Sequence, residues 1–102
     1  MDSADRKRIS DYITQNEDNI KYHYSKSLDL HETKVENNGK FVAIQKHTDK
    51  TGKTDLKFRC NLCENKKCIL TSEQQSFFDR LFIRGIFSKM FEIYTEKNKT
   101  TR

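Results

Sequence analysis

The stretch from Phe77 to Tyr94 constrains the fold of this chain most strongly, because 11 of its 18 residues are apolar. At about 100° per residue, these side chains would cover most of a helix circumference, whereas a one-sided surface helix needs an apolar stripe only about 100° wide. The pattern therefore predicts a helix with more apolar surface than a small domain can cover. The apolar residues are Phe77, Phe78, Leu81, Phe82, Ile83, Ile86, Phe87, Met90, Phe91, Ile93 and Tyr94.

The start of this helix is marked by a capping signal. Thr71 lies three residues before Gln74, directly ahead of the apolar stretch, which is the spacing of a capping box. The pattern predicts a helix from about Ser72 to Tyr94 or Glu96, followed by a polar tail.

The N-terminal segment also has a helical pattern. Between Asp5 and about Ser25, apolar residues recur at the spacing of one helix face. Asn16 and Asn19 weaken the middle of this helix, which can therefore end early. The residues on the predicted face are Ile9, Tyr12, Ile13, Ile20 and Tyr24.

The middle of the chain has the short apolar segments and turn residues of a β-sheet. Residues 41–44 are apolar and β-prone, and apolar and basic residues alternate over 56–60, as in a half-buried strand. A third short strand is predicted at 67–70. Asn37-Asn38-Gly39 is a turn signal, and Gly52 can supply a left-handed residue in the next connection. Together these segments predict a three-stranded antiparallel meander.

These elements predict one α+β domain with an N-terminal helix, a small three-stranded antiparallel meander and a long apolar C-terminal helix. At 102 residues the chain has the length of a single domain. The predicted divisions of residues 1–102 are 1–27 (N-terminal helix), 28–70 (basic β region with the cysteine cluster), 71–96 (C-terminal helix) and 97–102 (polar tail).

Positive charge is concentrated in the β region. The net charge is −2 over residues 1–36 (6 basic, 8 acidic), +5 over 37–70 (8 basic, 3 acidic) and +2 over 71–102 (6 basic, 4 acidic). Several basic side chains are expected on one solvent-facing side of the meander, where they would attract the phosphates of DNA or RNA. The alternative is a solvated sheet face whose lysines block edge pairing. The candidate nucleic-acid-binding residues are Lys46, Lys50, Lys53, Lys57, Arg59, Lys66 and Lys67.

Three cysteines lie within nine residues, at Cys60, Cys63 and Cys68. An odd number cannot all form internal disulfides, which argues against a secreted disulfide scaffold. The C-x2-C-x4-C spacing fits part of a zinc site. Of the histidines, His47 is the candidate fourth ligand. The alternatives are reduced thiols packed as small apolar residues, or a redox or catalytic thiol activated by nearby lysines.

The β region also resembles the first half of a FLYWCH-type zinc finger. The resemblance covers residues 39–70 and depends on the segments Gly39 to Ile44, Thr51 to Cys60 and Lys67 to Leu70. It implies that Cys60 and Cys68 are zinc ligands and that a basic sheet binds DNA or protein. The chain departs from the family at Phe58, where the family carries tryptophan, and has no His-x-His after Cys68.

Several functional classes lack their sequence signals. No apolar run approaches the roughly 20 residues of a membrane span, and no secretory signal precedes the predicted domain. The phosphate-loop, dinucleotide-binding, zincin and hydrolase motifs are absent. We therefore expect an intracellular protein, nuclear or cytoplasmic, that acts by binding and is not an enzyme. Its lysine, asparagine and isoleucine usage fits an AT-rich genome, such as that of a virus.

Two binding hypotheses result. The first is a nucleic-acid-associated protein that uses the basic β face and forms a homodimer through its C-terminal helix, with the interface residues Phe87, Met90, Phe91 and Tyr94. The second is a protein-interaction module, host-directed if the source is viral, whose apolar helix captures a partner. The Tyr22-His23-Tyr24 segment offers aromatic rings that can stack on a base or pack a helix against the sheet.

Overall fold

The computed structural model describes residues 1–63 and 68–100. The chain forms a five-stranded antiparallel sheet whose strands follow one another in chain order. One helix precedes the strands in the sequence and one follows them. Short 3-10 turns at Glu17–Asn19 and Ser72–Gln74 precede the first strand and the second helix. The elements are α1 (Ser3–Gln15), β1 (Ile20–Ser25), β2 (Leu30–Asn37), β3 (Lys40–Thr48), β4 (Thr54–Cys60), β5 (Cys68–Leu70) and α2 (Phe77–Thr100).

The N-terminal helix is shorter than the predicted helix over 1–27. It begins after Asp2, whose carboxylate accepts a hydrogen bond from the Asp5 N–H at 2.8 Å, and it ends at Gln15. Asn16 then turns its side-chain amide back to the Tyr12 carbonyl at 2.8 Å and accepts a hydrogen bond from Asn37 at 2.8 Å. The segment predicted as the second half of the helix is instead strand β1.

The α+β class and the two flanking helices are confirmed, but the predicted count of three strands is wrong. The predicted strands correspond to β3, β4 and β5, and the sheet continues through β2 to β1. Asn38 and Gly39 both have positive φ, 54° and 82°, in the tight turn between β2 and β3. Gly52, with φ 87°, supplies the left-handed residue between β3 and β4.

One face of the sheet forms the core, because α1 and α2 both pack on it. Ile9 and Ile13 of α1 and a stripe of α2 residues are buried against alternate residues of the strands. Directly paired residues in antiparallel strands share a face, so register assigns every strand residue to this covered face or to the open face. The fully buried strand residues on the covered face are Thr33, Val35, Val42, Ile44, Phe58 and Cys60.

The second helix begins later than predicted because residues 72–75 are attached to the edge of β4. The Ser72 hydroxyl accepts a hydrogen bond from the Leu56 N–H at 2.8 Å and lies 3.1 Å from its carbonyl, to which Gln75 also donates at 2.7 Å. The predicted Thr71–Gln74 contact is present, at 3.0 Å, but it begins a 3-10 turn. Helix α2 starts at Phe77 and extends beyond Glu96 to Thr100, so the predicted bounds 71–96 are corrected.

Helix α2 buries only one stripe. Ile83, Ile86 and Met90 are in the core, and Asp79 is buried beside Arg6, 3.7 Å away, and the Met1 amine, 3.5 Å away. The first apolar residues of the helix do not belong to this stripe. Phe77, Phe78 and Leu81 are instead exposed, at 70%, 73% and 52%.

Candidate nucleic-acid interface and cysteine cluster

The three cysteines meet where β4 passes into β5. Cys60 at the end of β4 pairs in register with Cys68 at the start of β5, and Cys63 lies in their connection. The side chain of Asn61 holds this connection by accepting from the Phe41 N–H at 2.8 Å and donating to the Gly39 carbonyl at 2.9 Å. The three sulfur atoms all lie within 4.8 Å of one another and form no disulfide.

This geometry is compatible with one metal ion. Two thiolates bound to a tetrahedral zinc at about 2.3 Å each are separated by about 3.8 Å. The Sγ atoms of Cys60 and Cys63 are 3.8 Å apart. Among the described residues, the cluster supplies three ligands and no fourth.

His47 is not part of the cluster, which corrects its predicted role as a ligand. It pairs with Asp55, whereas Cys60 pairs with Val42, five residues further along β3. At about 3.3 Å per residue, His47 lies about 16 Å along the sheet from Cys60. A regular ladder cannot bring the two side chains to one ion.

Burial of the cluster disfavours the charged thiolate form of its cysteines. Burial raises the pKa of Cys60 to about 12, with a further contribution from Cys63, and burial also raises the pKa of Cys68. Both thiols are therefore protonated at neutral pH unless a metal displaces the protons. The pKa of Cys60 is higher in the folded protein than in the unfolded chain, so the contribution of the protonated thiol to the free energy of unfolding is present at neutral pH. That contribution is lost as the pH rises from the ordinary value of 9.0 toward about 12.

The predicted basic residues do not form one face. Register places Lys57 and Arg59 on the open face, whereas Lys46 lies on the covered face, with its Nζ 5.7 Å from the centre of the Phe87 ring. Lys50 and Lys53 belong to the connection between β3 and β4. The prediction of a single basic β face is therefore wrong. Lys66 and Lys67 lie outside the described residues.

The open face carries charges of both signs. Glu32 lies 3.7 Å from the Arg59 guanidinium and accepts a hydrogen bond from Gln45 at 2.9 Å. Lys34 is 3.8 Å from Glu36. Because Arg59 and Lys34 each lie beside a carboxylate, this part of the open face has little net attraction for phosphates.

The connection between β3 and β4 is shaped by Asp49. Its carboxylate accepts hydrogen bonds from the Thr51 hydroxyl at 2.6 Å, the Thr51 N–H at 2.9 Å and the Lys53 N–H at 3.0 Å. The bond from the Thr51 hydroxyl makes the largest contribution to lowering the pKa of Asp49, followed by the Lys53 N–H. The loop therefore holds Lys50 and Lys53 at a defined end of the hairpin.

A groove runs beside α2, along the part of β4 that has no pairing with β5. Its first cleft, of about 540 Å³, includes Lys53, Lys57 and Arg80, and its second, of about 260 Å³, includes Lys46 and Arg84. Thr54 lines both clefts. A third cleft of about 380 Å³ shares three residues with the second and continues to the aromatic residues of β1 and β2. The shared residues are Lys46, Phe87 and Ser88.

Five cationic side chains line this groove, which we call the basic groove. They are accompanied by three carboxylates, and within residues 1–63 and 68–100 none of the five forms an ion pair. The hydroxyls of Thr54, Thr71 and Ser72 also line the first cleft. The cations are Lys46, Lys53, Lys57, Arg80 and Arg84, and the carboxylates are Asp55, Glu73 and Glu92.

Arg80 and Arg84 were not among the sequence candidates. Together with Ser88 they recur every four residues on α2, beside the buried stripe, so a helical projection would have placed them on one exposed face. A projection cannot show that this face borders the part of β4 that β5 does not pair with. Predicting this contact requires knowing how the helix lies on the sheet.

The four residues of the predicted dimer interface differ in their exposure. Met90 is fully buried inside the chain and is a core residue, which corrects its predicted role. Phe87 and Tyr94 are half-buried, and Phe91 is 40% exposed beside the ring of Tyr22. The most exposed apolar residues of α2 lie at its opposite end, around Phe78.

Comparison with protein-family models, with curated proteins and with solved structures finds no match. The resemblance of residues 39–70 to FLYWCH-type fingers stays a prediction. In the part of the chain that the structure describes, no helix has the length and apolarity needed to cross a membrane.

Proposed function

We propose that the protein binds nucleic acid in the basic groove. The observation that supports this most strongly is the run of five cationic side chains that border connected clefts without ion-pair partners among the described residues. Such cations gain free energy by contacting phosphates, because each contact releases condensed counterions. Arg59, in contrast, already faces the Glu32 carboxylate.

The composition of the groove suits contact with the nucleic-acid backbone. Its lysines act as point charges, and the guanidiniums of Arg80 and Arg84 can each donate two hydrogen bonds to one phosphate. The Thr54, Thr71 and Ser72 hydroxyls supply further donors of the kind that contact phosphate oxygens. Such contacts position the ligand without reading its sequence.

Charge reversal in the groove tests this proposal. We expect Lys53→Glu/Lys57→Glu/Arg80→Glu to weaken binding of a labelled oligonucleotide more than about tenfold at 100 mM salt. The log-log salt slope should become shallower by about 2 to 3, because roughly three phosphate contacts are lost. Fluorescence anisotropy measures both quantities, and circular dichroism checks the fold.

The matched control carries the same change in charge outside the groove. Lys21, Lys26 and Lys40 are exposed and line none of the three clefts. Replacing all three by glutamate should leave more than half of the binding free energy and most of the salt slope. Equal losses in the two triple variants would show that only net charge matters and would overturn the groove as the binding site.

We also propose that Cys60, Cys63 and Cys68 bind one zinc ion with a structural role. The compact sulfur cluster supports this, together with its position at the β4–β5 junction, where an ion would fix the short edge strand. The FLYWCH resemblance independently implies Cys60 and Cys68 as ligands. A fourth ligand would come from water or from a group outside the described cluster.

Zinc content and thermal stability test the second proposal. Protein expressed with sufficient zinc should contain about one equivalent. Free zinc at 100 times its Kd should stabilise the fold by about 2.7 kcal/mol, which corresponds to a rise in Tm of about 10 to 20 °C over chelated protein. Cys63→Ser should lose the metal, while His47→Ala should retain it. Less than a tenth of an equivalent in the unaltered protein would leave the cysteines as core thiols.

A second candidate function, self-association through the start of α2, is favoured by the exposure of Phe77, Phe78 and Leu81. Phe77 and Phe78 contact each other edge-on, with ring centroids 5.6 Å apart, and present one apolar surface. A twofold dimer would cover this surface on both copies. The same surface could instead capture a partner protein, the alternative that the sequence left open.

Light scattering separates a dimer from a monomer here. At tens of micromolar we expect twice the chain mass of 12.2 kDa. Phe78→Glu should convert the dimer into a folded monomer, because it places a charge in the apolar contact. Phe91→Glu, at the other end of the helix, should leave the mass unchanged. A monomeric mass for the unaltered protein would contradict self-association.

A further inference from the structure

Four aromatic side chains surround the far end of the basic groove. Tyr22 and Tyr24 extend from β1, His31 from β2 and Phe91 from α2. The His31 ring is stacked with Tyr24, at 4.4 Å between centroids and 27° between planes, and lies 5.9 Å from Tyr22 at 28°. Tyr22 contacts Phe91 edge-on, with centroids 4.9 Å apart. The groove therefore changes from cationic to aromatic along its length.

Hydrogen bonds hold these rings in place. The Tyr22 hydroxyl lies 2.5 Å from Nδ1 of His31, and the Tyr24 hydroxyl donates to Asp29 at 3.2 Å. Tyr24 and Phe91 nevertheless remain 43% and 40% exposed. Aromatic surface that is both fixed and exposed loses little conformational entropy when a flat ligand stacks on it.

The third cleft places this aromatic surface next to a cation. Lys46 lines both the second and the third cleft, so a phosphate bound beside Arg84 and Lys46 has the aromatic cluster as its neighbour. On α2, Arg80 and Phe91 are separated by about 16 Å at 1.5 Å per residue, the length of a few nucleotides. Cations followed by stacking rings form the arrangement that binds single-stranded nucleic acid.

We infer that the basic groove takes single-stranded DNA or RNA, with an unpaired base inserted into the third cleft against Phe91, Tyr22 and His31. This inference depends on the proposed function, because the phosphates of the same strand occupy the cationic clefts. A duplex keeps its bases stacked on one another and can offer only its backbone. The ligand class is therefore a flexible single strand, bound without a requirement for base sequence.

An abasic ligand tests the inference, because it keeps the phosphates and removes the bases. We expect a single-stranded oligonucleotide of about ten nucleotides to bind about 5- to 150-fold more tightly than an abasic oligonucleotide of equal length. The same difference is expected relative to a duplex. The reason is that stacking contributes about 1 to 3 kcal/mol per base. Phe91→Ala and, on a separate element, His31→Ala should reduce affinity for the normal strand and leave affinity for the abasic strand unchanged.

Phe41→Ala is the matched aromatic control. Phe41 lies on the open face, where Lys34 and Arg59 lie 5.7 and 6.0 Å from its ring centre. Its replacement should leave every affinity unchanged in folded protein. Equal binding of the normal and abasic strands would overturn base insertion, while the effect of reversing the groove charges would still stand. Failure of the unaltered protein to bind any of the three ligands would overturn the proposed function and this inference together.

Discussion

The short length of β5 determines both candidate sites. This edge strand pairs only with Phe58 to Cys60, so the first half of β4 has a neighbouring strand on its β3 side and none on the other. Unpaired backbone groups at a partly buried edge need other partners. Ser72 and Gln75 provide them at Leu56, and this attachment sets where α2 begins and how it crosses the sheet. The pairing of β5 itself brings Cys68 beside Cys60.

The basic groove is the space left by this arrangement. Helix α2 covers the core with Ile83, Ile86 and Met90, and its neighbouring stripe of Arg80, Arg84 and Phe87 borders the uncovered edge. The hairpin between β3 and β4 brings Lys53 and Lys57 to the same edge. On the open face Lys34 and Arg59 are paired with carboxylates, whereas the five groove cations form no ion pair among the described residues, and this difference favours the groove as the site of phosphate contact.

Sequence patterns predicted what depends on neighbouring residues in the chain. The alternation over residues 56–60 led to the correct β3–β4 hairpin, and the turn at Asn38-Gly39 was identified without the strand β2 that precedes it, because strand period and turn conformation are local properties. Ile20, Tyr22 and Tyr24 alternate as in a strand, but this segment was interpreted as a helix, because Ile20 and Tyr24 also continue the apolar face of α1. Pairing with β2, a tertiary effect, decides for the strand.

The sites were harder to predict, because they depend on register and on helix placement. Lys46 and Lys57 both lie in a basic segment, yet Lys46 pairs with Leu56, and the offset of one position to Lys57 puts the two lysines on opposite faces. His47 was separated from the cysteines by the same register. The buried stripe of α2 likewise could not be chosen from an apolar pattern that covers most of the helix circumference, so Met90, a core residue, was assigned to the dimer interface.

The central claim is that nucleic acid contacts the basic groove, beside α2 and the edge of β4, and not the part of the open face that carries Lys21, Lys34 and Arg59. Titration of the ¹⁵N-labelled protein with a short oligonucleotide, followed by amide chemical shifts, tests it most directly. The account predicts that the largest changes fall on Lys53, Thr54, Lys57, Arg80, Arg84 and Ser88, with little change at Lys21, Lys34 or Arg59. Changes centred on those open-face residues, with the groove unaffected, would contradict it.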